Sequence, residues 1–165
     1  MPRTNRIAFS FTEFENLDEL IADDKELVLS AREVALNAYA PYSKFRVGAS
    51  VRLETGRIVS GANVENAAFP SGICAERNAL SYSVSNYPGE KPVAIAVAAF
   101  AEDGLTAETV APCGNCRQVI AEEEQRNRQK IKVILSGREK IIVIESISDL
   151  LPFQFNKENL RIILP

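Results

Sequence analysis

The sequence predicts an α/β domain built on a mixed sheet of about five strands, with helices on both faces. Three observations carry this. Short stretches of alternating or unbroken apolar residues are interleaved with segments of helical period. Residues 93–100 are almost wholly apolar, as expected of a central strand covered on both sides. Residues 131–135 and 141–144 read as strands joined only by 136–140, too short a link for a parallel crossover, so the last strand runs antiparallel to its neighbour.

Each element can be justified in order. Residues 1–22 read as an extension, with Ile7, Phe9 and Phe11 alternating as an edge strand would, and 23–165 as the domain proper. Asp23 or Asp24 is placed to cap a helix whose apolar face is Leu27, Val28, Ala31, Val34, Ala35 and Ala38, and Pro41 marks its end. Val47, Ala49, Val51 and Leu53 alternate with more polar residues as a half-buried strand does. Thr55-Gly56 then turns the chain into a second strand through Ile58, Ser60, Ala62 and Val64. Asn63 and Glu65 are two apart and point to the same side of an extended chain.

A loop through Pro70 and Gly72 leads to Cys74, where a helix starts and runs to Tyr87. After the central strand a second loop ends at Pro112, suited to open a helix because its missing N–H has no helical partner to lose. On that helix the pairs Glu122/Arg126 and Glu124/Arg128 suggest a wet face. A short helix over 148–151 and a tail with Phe153, Phe155 and apolar 162–164 finish the chain.

Composition excludes several classes. Of the 165 residues, 46% are apolar and 25% charged, ordinary for a globular domain. The net charge of −3 argues against a nucleic-acid partner, which demands a basic face. The longest apolar run, 93–101, is far short of the roughly 20 residues of a membrane span, and no signal-peptide pattern is expected at the start. Three cysteines do not describe a disulfide framework, and free thiols suit a reducing cytoplasm.

All three cysteines fall in two short motifs, Cys74-Ala75-Glu76 and Pro112-Cys113-Gly114-Asn115-Cys116, in a chain without histidine. Three thiolates hold a zinc ion and leave a fourth tetrahedral position open, the pattern of a catalytic site. Cys113 and Cys116 are neighbours on one helical face, in a first turn where the helix dipole favours thiolate. A redox Cys-x-x-Cys pair needs no third cysteine, and a closed structural zinc site needs a fourth ligand that the chain lacks. If the two helices follow adjacent parallel strands, their N-termini meet at the carboxyl edge of the sheet. Glu76 is about 200° around the helix from Cys74, placed as an acid/base group rather than a ligand. Arg77 would offset the net −1 charge of zinc with three thiolates, or simply lie on the surface.

Five motifs in order resemble the homotetrameric zinc-dependent cytidine deaminases: residues 40–49 (Ala-Pro-Tyr-Ser-Lys-Phe-Arg-Val-Gly-Ala), 63–67 (Asn-Val-Glu-Asn-Ala), 74–77 (Cys-Ala-Glu-Arg), 112–118 (Pro-Cys-Gly-Asn-Cys-Arg-Gln) and 150–152 (Leu-Leu-Pro). The resemblance covers about 25–160 and implies the three-layer fold of that family. It implies Zn2+ on Cys74, Cys113 and Cys116, with Glu76 shuttling protons while a zinc-bound hydroxide converts cytidine or 2′-deoxycytidine to uridine or deoxyuridine and ammonia, in pyrimidine salvage. It also implies Asn63 and Glu65 on the ribose, Phe45 near the pyrimidine and the backbone around Ala75 on the base. Phe155 would reach a neighbouring subunit's pocket. Phe69 stands where many relatives have tyrosine. A blasticidin-type deaminase shares the zinc motifs but not the 63–66 segment, and a silent nucleoside- or zinc-binding protein has no need of Glu76.

Overall fold

The computed structural model describes residues 2–160, so the apolar stretch 162–164 lies outside the described residues. Seven strands form one sheet: β1 (Thr12–Phe14), β2 (Arg46–Leu53), β3 (Ile58–Ala62), β4 (Pro92–Ala101), β5 (Gly104–Leu105), β6 (Lys132–Ser136) and β7 (Ile141–Ile144). Their order is β1-β7-β6-β4-β2-β3, with β5 folded back on the end of β4. Among the described residues β4 and β6 are the one pair of neighbouring strands joined in parallel. The last strand, β7, is antiparallel to β6, as the short link between them requires.

Helix α1 (Ala22–Ala35) covers one face of the sheet, and α2 (Ala75–Asn86) and α3 (Gly114–Asn127) cover the other. Alternation along β4 assigns its residues to the two cores: Ala94, Ala96 and Ala98 meet Leu27, Val28 and Ala31 of α1, while Ile95 and Val97 join Ala79, Leu80 and Ile120. Close approach is built in on both faces. A Cβ at Gly48 would come within 2.1 Å of the Ala31 carbonyl oxygen, and one at Gly61 within 2.7 Å of the Ala79 nitrogen.

Several expectations are corrected. The edge strand lies at Thr12–Phe14, not at Ile7–Phe11, whose apolar side chains are exposed. Thr12 pairs with Val143, and β7 ends one residue later, so residues before Phe11 have no strand to meet. Helix α1 is capped at Ile21, and Asp23 and Asp24 fall in its first turn, where Asp24 accepts two bonds from Lys132 Nζ at 2.9 and 2.7 Å. It ends at Ala35, well before Pro41, because Tyr39 is drawn away to bond Asn63 O and Glu65 N. Glu124 is not on a wet face. Its buried carboxylate accepts from Ile131 N at 2.8 Å, Ser146 Oγ at 2.9 Å and Ile147 N at 3.1 Å.

Candidate active site

Helix α2 follows β3, and helix α3 follows β4 by way of the two-residue β5; β3 and β4 run in the same direction but are separated by β2 rather than adjacent. The helices nonetheless touch, and their N-termini converge. Cys74 caps α2, Cys113 caps α3, and Cys116 is the third residue of α3. The three Sγ atoms lie within 4.8 Å of one another, and those of Cys113 and Cys116 are 3.5 Å apart. Tetrahedral zinc with Zn–S bonds of about 2.3 Å needs sulfurs about 3.8 Å apart, so these residues fit the metal with small adjustments.

The electrostatics of the donor set point the same way. Burial pushes the Cys116 thiol well above the usual range, and the Glu76 carboxylate adds to this. Cys74 is also raised, chiefly by burial. For Cys113 burial works against ionisation, but the backbone N–H groups of Cys116 and Asn115 and the neighbouring thiols outweigh it and hold the thiol below its ordinary value. Burial likewise holds the Glu76 carboxyl above its ordinary range, with the Cys116 thiol as a hydrogen-bond partner. Several acidic groups crowded into a desolvated space cannot all ionise alone. A dication removes that conflict.

Beside the thiols lies a recess of about 190 Å³. Phe45, Val47, Val97 and Val110 line it with apolar surface, and Cys74, Ala75, Glu76 and Cys113 supply its reactive side. It adjoins a more open groove of about 300 Å³ through shared residues Asn63 and Cys74, and the groove adds Glu65, Asn66 and Phe69. A larger hollow, about 440 Å³, sits by Lys44, Arg46 and Glu102, but no cysteine lines it. Chemistry rather than size marks the site.

Comparison with known proteins accords with this geometry. Residues 21–130 match the family model described as the cytidine and deoxycytidylate deaminase zinc-binding region. The chain belongs to this zinc-dependent deaminase family. A cytidine deaminase of Halalkalibacterium halodurans is 38% identical over 139 residues, covering 84% of this chain and 98% of that one. One from Sporosarcina psychrophila is 37% identical over 141 residues, covering 84% and 95%. The crystal structure of cytidine deaminase from Burkholderia pseudomallei superposes with a TM-score of 0.68 at 38% identity, covering 79% of this chain and 97% of that one.

Against the deaminase family's motifs, the structure gathers Cys74, Cys113, Cys116, Glu76, Ala75, Phe45 and Asn63 around one recess, with Glu65 in the groove. Asn63 is already engaged: its Oδ1 accepts from Val47 N at 2.7 Å and its Nδ2 donates to Phe45 O at 3.1 Å. Glu65 Oε2 accepts from Tyr42 N at 2.9 Å and Ser43 N at 3.3 Å, and hydrogen bonding, first from the Ser43 side chain, holds its carboxyl below the usual range. The pair thus shapes the turn that presents Phe45, with the backbone N–H groups of Tyr42 and Ser43 both meeting Oε2 of Glu65.

Arg77 and Phe155 line neither the recess nor the groove. Arg77 is half-buried and makes no hydrogen bond or ion pair among the described residues. Phe155 is 57% exposed and does not line its own chain's recess. Phe69 is exposed, its ring edge-on to Tyr42. Sequence reasoning passed over Val97, Val110 and Arg117. Only Arg117 had a signal, as part of the 112–118 motif.

Proposed function

We infer that the protein hydrolytically deaminates cytidine, and 2′-deoxycytidine, to the corresponding uridine nucleoside and ammonia, a pyrimidine-salvage reaction. The observation that carries this is the convergence of three cysteine sulfurs and buried Glu76 on one apolar recess that opens into a polar groove. Cys74, Cys113 and Cys116 hold the zinc, which when bound supplies a water acidic enough to ionise near neutral pH. Glu76 takes the proton of the attacking water and delivers it to N3 of the pyrimidine, making C4 more electrophilic. It then passes a second proton to the amino group leaving C4. The walls of Phe45, Val47 and Val97 exclude water from the ring, and the backbone at Ala75 meets the base. The Glu65 carboxylate and the Asn63 amide accept from and donate to the ribose hydroxyls, so free cytosine is a poor substrate. Arg77 and the two helix N-termini offset the excess negative charge of three thiolates.

The working form in this reading is a cytoplasmic homotetramer in which Phe155 enters a neighbour's pocket. The exposure of its ring, and its absence from the walls of its own chain's recess, support that. Incubating zinc-loaded protein with cytidine, 2′-deoxycytidine, cytosine and blasticidin S, and following ammonia and product, tests the function. Turnover of the two nucleosides with little of cytosine is the expected result. Turnover of blasticidin S alone, or of nothing, overturns it.

A further inference from the structure

Helix α3 carries more than metal ligands. Arg117, one residue past Cys116, folds back over the start of its own helix and donates from Nε to Pro112 O at 2.8 Å. Pro112 O belongs to the peptide bond that leads into Cys113, so this contact fixes the approach of the first α3 thiol. The other arm of the same guanidinium donates from Nη1 to Leu150 O at 2.9 Å. Leu150 is the last residue of the 3₁₀ turn Ile147–Leu150.

That turn is held at its other end by the same helix. Glu124 accepts from Ser146 Oγ and Ile147 N, at the turn's start. Arg117 and Glu124 are seven residues apart, about 10 Å along a helix, and the four-residue 3₁₀ turn between their contacts spans about 6–8 Å, a difference that the two side chains bridge. The turn therefore lies antiparallel to α3, clamped at both ends, and releases the chain toward the helix end that bears the cysteines. There Gln118 Nε2 donates to Phe155 O at 2.7 Å. A half-buried guanidinium with one arm on each segment is a rigid planar fork that lysine cannot reproduce.

We propose that Arg117 is a positioning residue that couples occupancy of the three-cysteine site to the docking of the C-terminal segment 147–155. With metal bound, Cys113 and Cys116 are fixed, Pro112 O keeps its direction, and the fork holds Leu150 O. Without metal, the 112–116 turn relaxes, the fork loses its anchor on that side, and the tail loosens. By reciprocity, a docked tail strengthens metal binding.

Hydrogen exchange of the whole chain, zinc-loaded and chelated, tests this directly. The expected result is that chelation speeds amide exchange in 147–156 by about fivefold or more while the β2 and β4 amides keep their protection. In Arg117→Lys the 147–156 segment exchanges fast in both states, and the zinc affinity, measured at equilibrium against a competing chelator, falls several-fold below the parent's. Gln118→Ala, which frees only Phe155 O, loosens 154–156 but retains the zinc dependence of 147–152. The proposal is overturned if 147–156 exchanges equally with and without zinc, or if Arg117→Lys keeps the parent's zinc-dependent difference. Loss of protection through β2 and β4 on chelation also overturns it, because the metal would then hold the whole fold and no particular link.

Discussion

Helix α2 begins at Cys74 and helix α3 at Cys113, each cysteine standing as the cap of its helix, yet the first turns beyond the two caps differ. At the first helical position α2 has Ala75, fully buried against the recess, whereas α3 has exposed Gly114, where an added Cβ would meet nothing within 4 Å. At the second, buried Glu76 stands against exposed Asn115, and at the third Arg77 stands against buried Cys116. Both helices aim their N–H groups and dipoles at one cluster, which is a general resource. The side chains in the first turn set them apart: α2 brings the buried Glu76 carboxyl and the wall of the recess, and α3 brings two of the three thiols.

The largest effect should come from the α3 side. Cys116→Ser removes the buried thiol of the cluster, and the purified variant is expected to hold far less than one zinc per chain and to show no measurable ammonia release. Full activity without metal, measured by metal analysis and assay on one sample, would falsify the three-thiolate centre.

Next is Glu76→Gln, which should keep its zinc and lower kcat by at least about 10²–10⁴-fold, since an amide cannot accept the proton. Its stability should also depend on pH in a defined direction. Burial raises the Glu76 carboxyl in the metal-free protein, so the folded state binds more protons than the unfolded one. Stability then falls as pH rises from the ordinary carboxylate range through the raised value. Metal-stripped Glu76→Gln should thus melt above the metal-stripped parent at neutral pH, with the gap closing near pH 4, about the ordinary carboxylate value. A gap that grows on acidification contradicts this.

Ala75→Val enlarges a fully buried side chain beside the recess. It should raise KM for cytidine and destabilise by about 1–3 kcal/mol. The matching change in α3, Gly114→Ala, should leave KM, kcat and zinc content unchanged and shift stability by less than about 1 kcal/mol. If the two substitutions have equal effects on KM, the division between the helices is wrong.

Much of this was legible because the informative residues lie close together in sequence. Cys74 and Glu76, Cys113 and Cys116, and Asn63 and Glu65 each fall within one short segment; helical period relates the first two pairs, whereas Asn63 and Glu65 lie past the end of β3, which stops at Ala62 rather than running on through Val64. What the sequence hid depends on distant partners. Glu124 resembles a member of an exposed ion pair with Arg128 until Ser146 and Ile147, over twenty residues later, are found bonded to it. Arg128 itself ends α3 in a left-handed conformation, out of position for the pair. The insertion of β2 between β3 and β4 was equally invisible, because pairing order is decided by packing and not by any one segment. The amide of Asn63 reads as free for a ligand until Phe45 and Val47 claim it.

The three residues of β1 have an effect out of proportion to their length. Strand β7 is Ile-Ile-Val-Ile, a short, strongly β-forming and apolar sequence, and β6 pairs with only one of its sides. Left bare, the other side would offer a row of free N–H and C=O groups to any similar strand, the usual starting point for fibrous or amorphous aggregates. Thr12, Glu13 and Phe14 fill that row and put an exposed Thr12 and Glu13 at the outer boundary, with Glu13 drawn toward Lys140. Covering that edge predicts a part in solubility: a chain shortened to begin after Phe14 keeps every residue of the recess and is expected to aggregate at lower concentration than the parent, as light scattering would show.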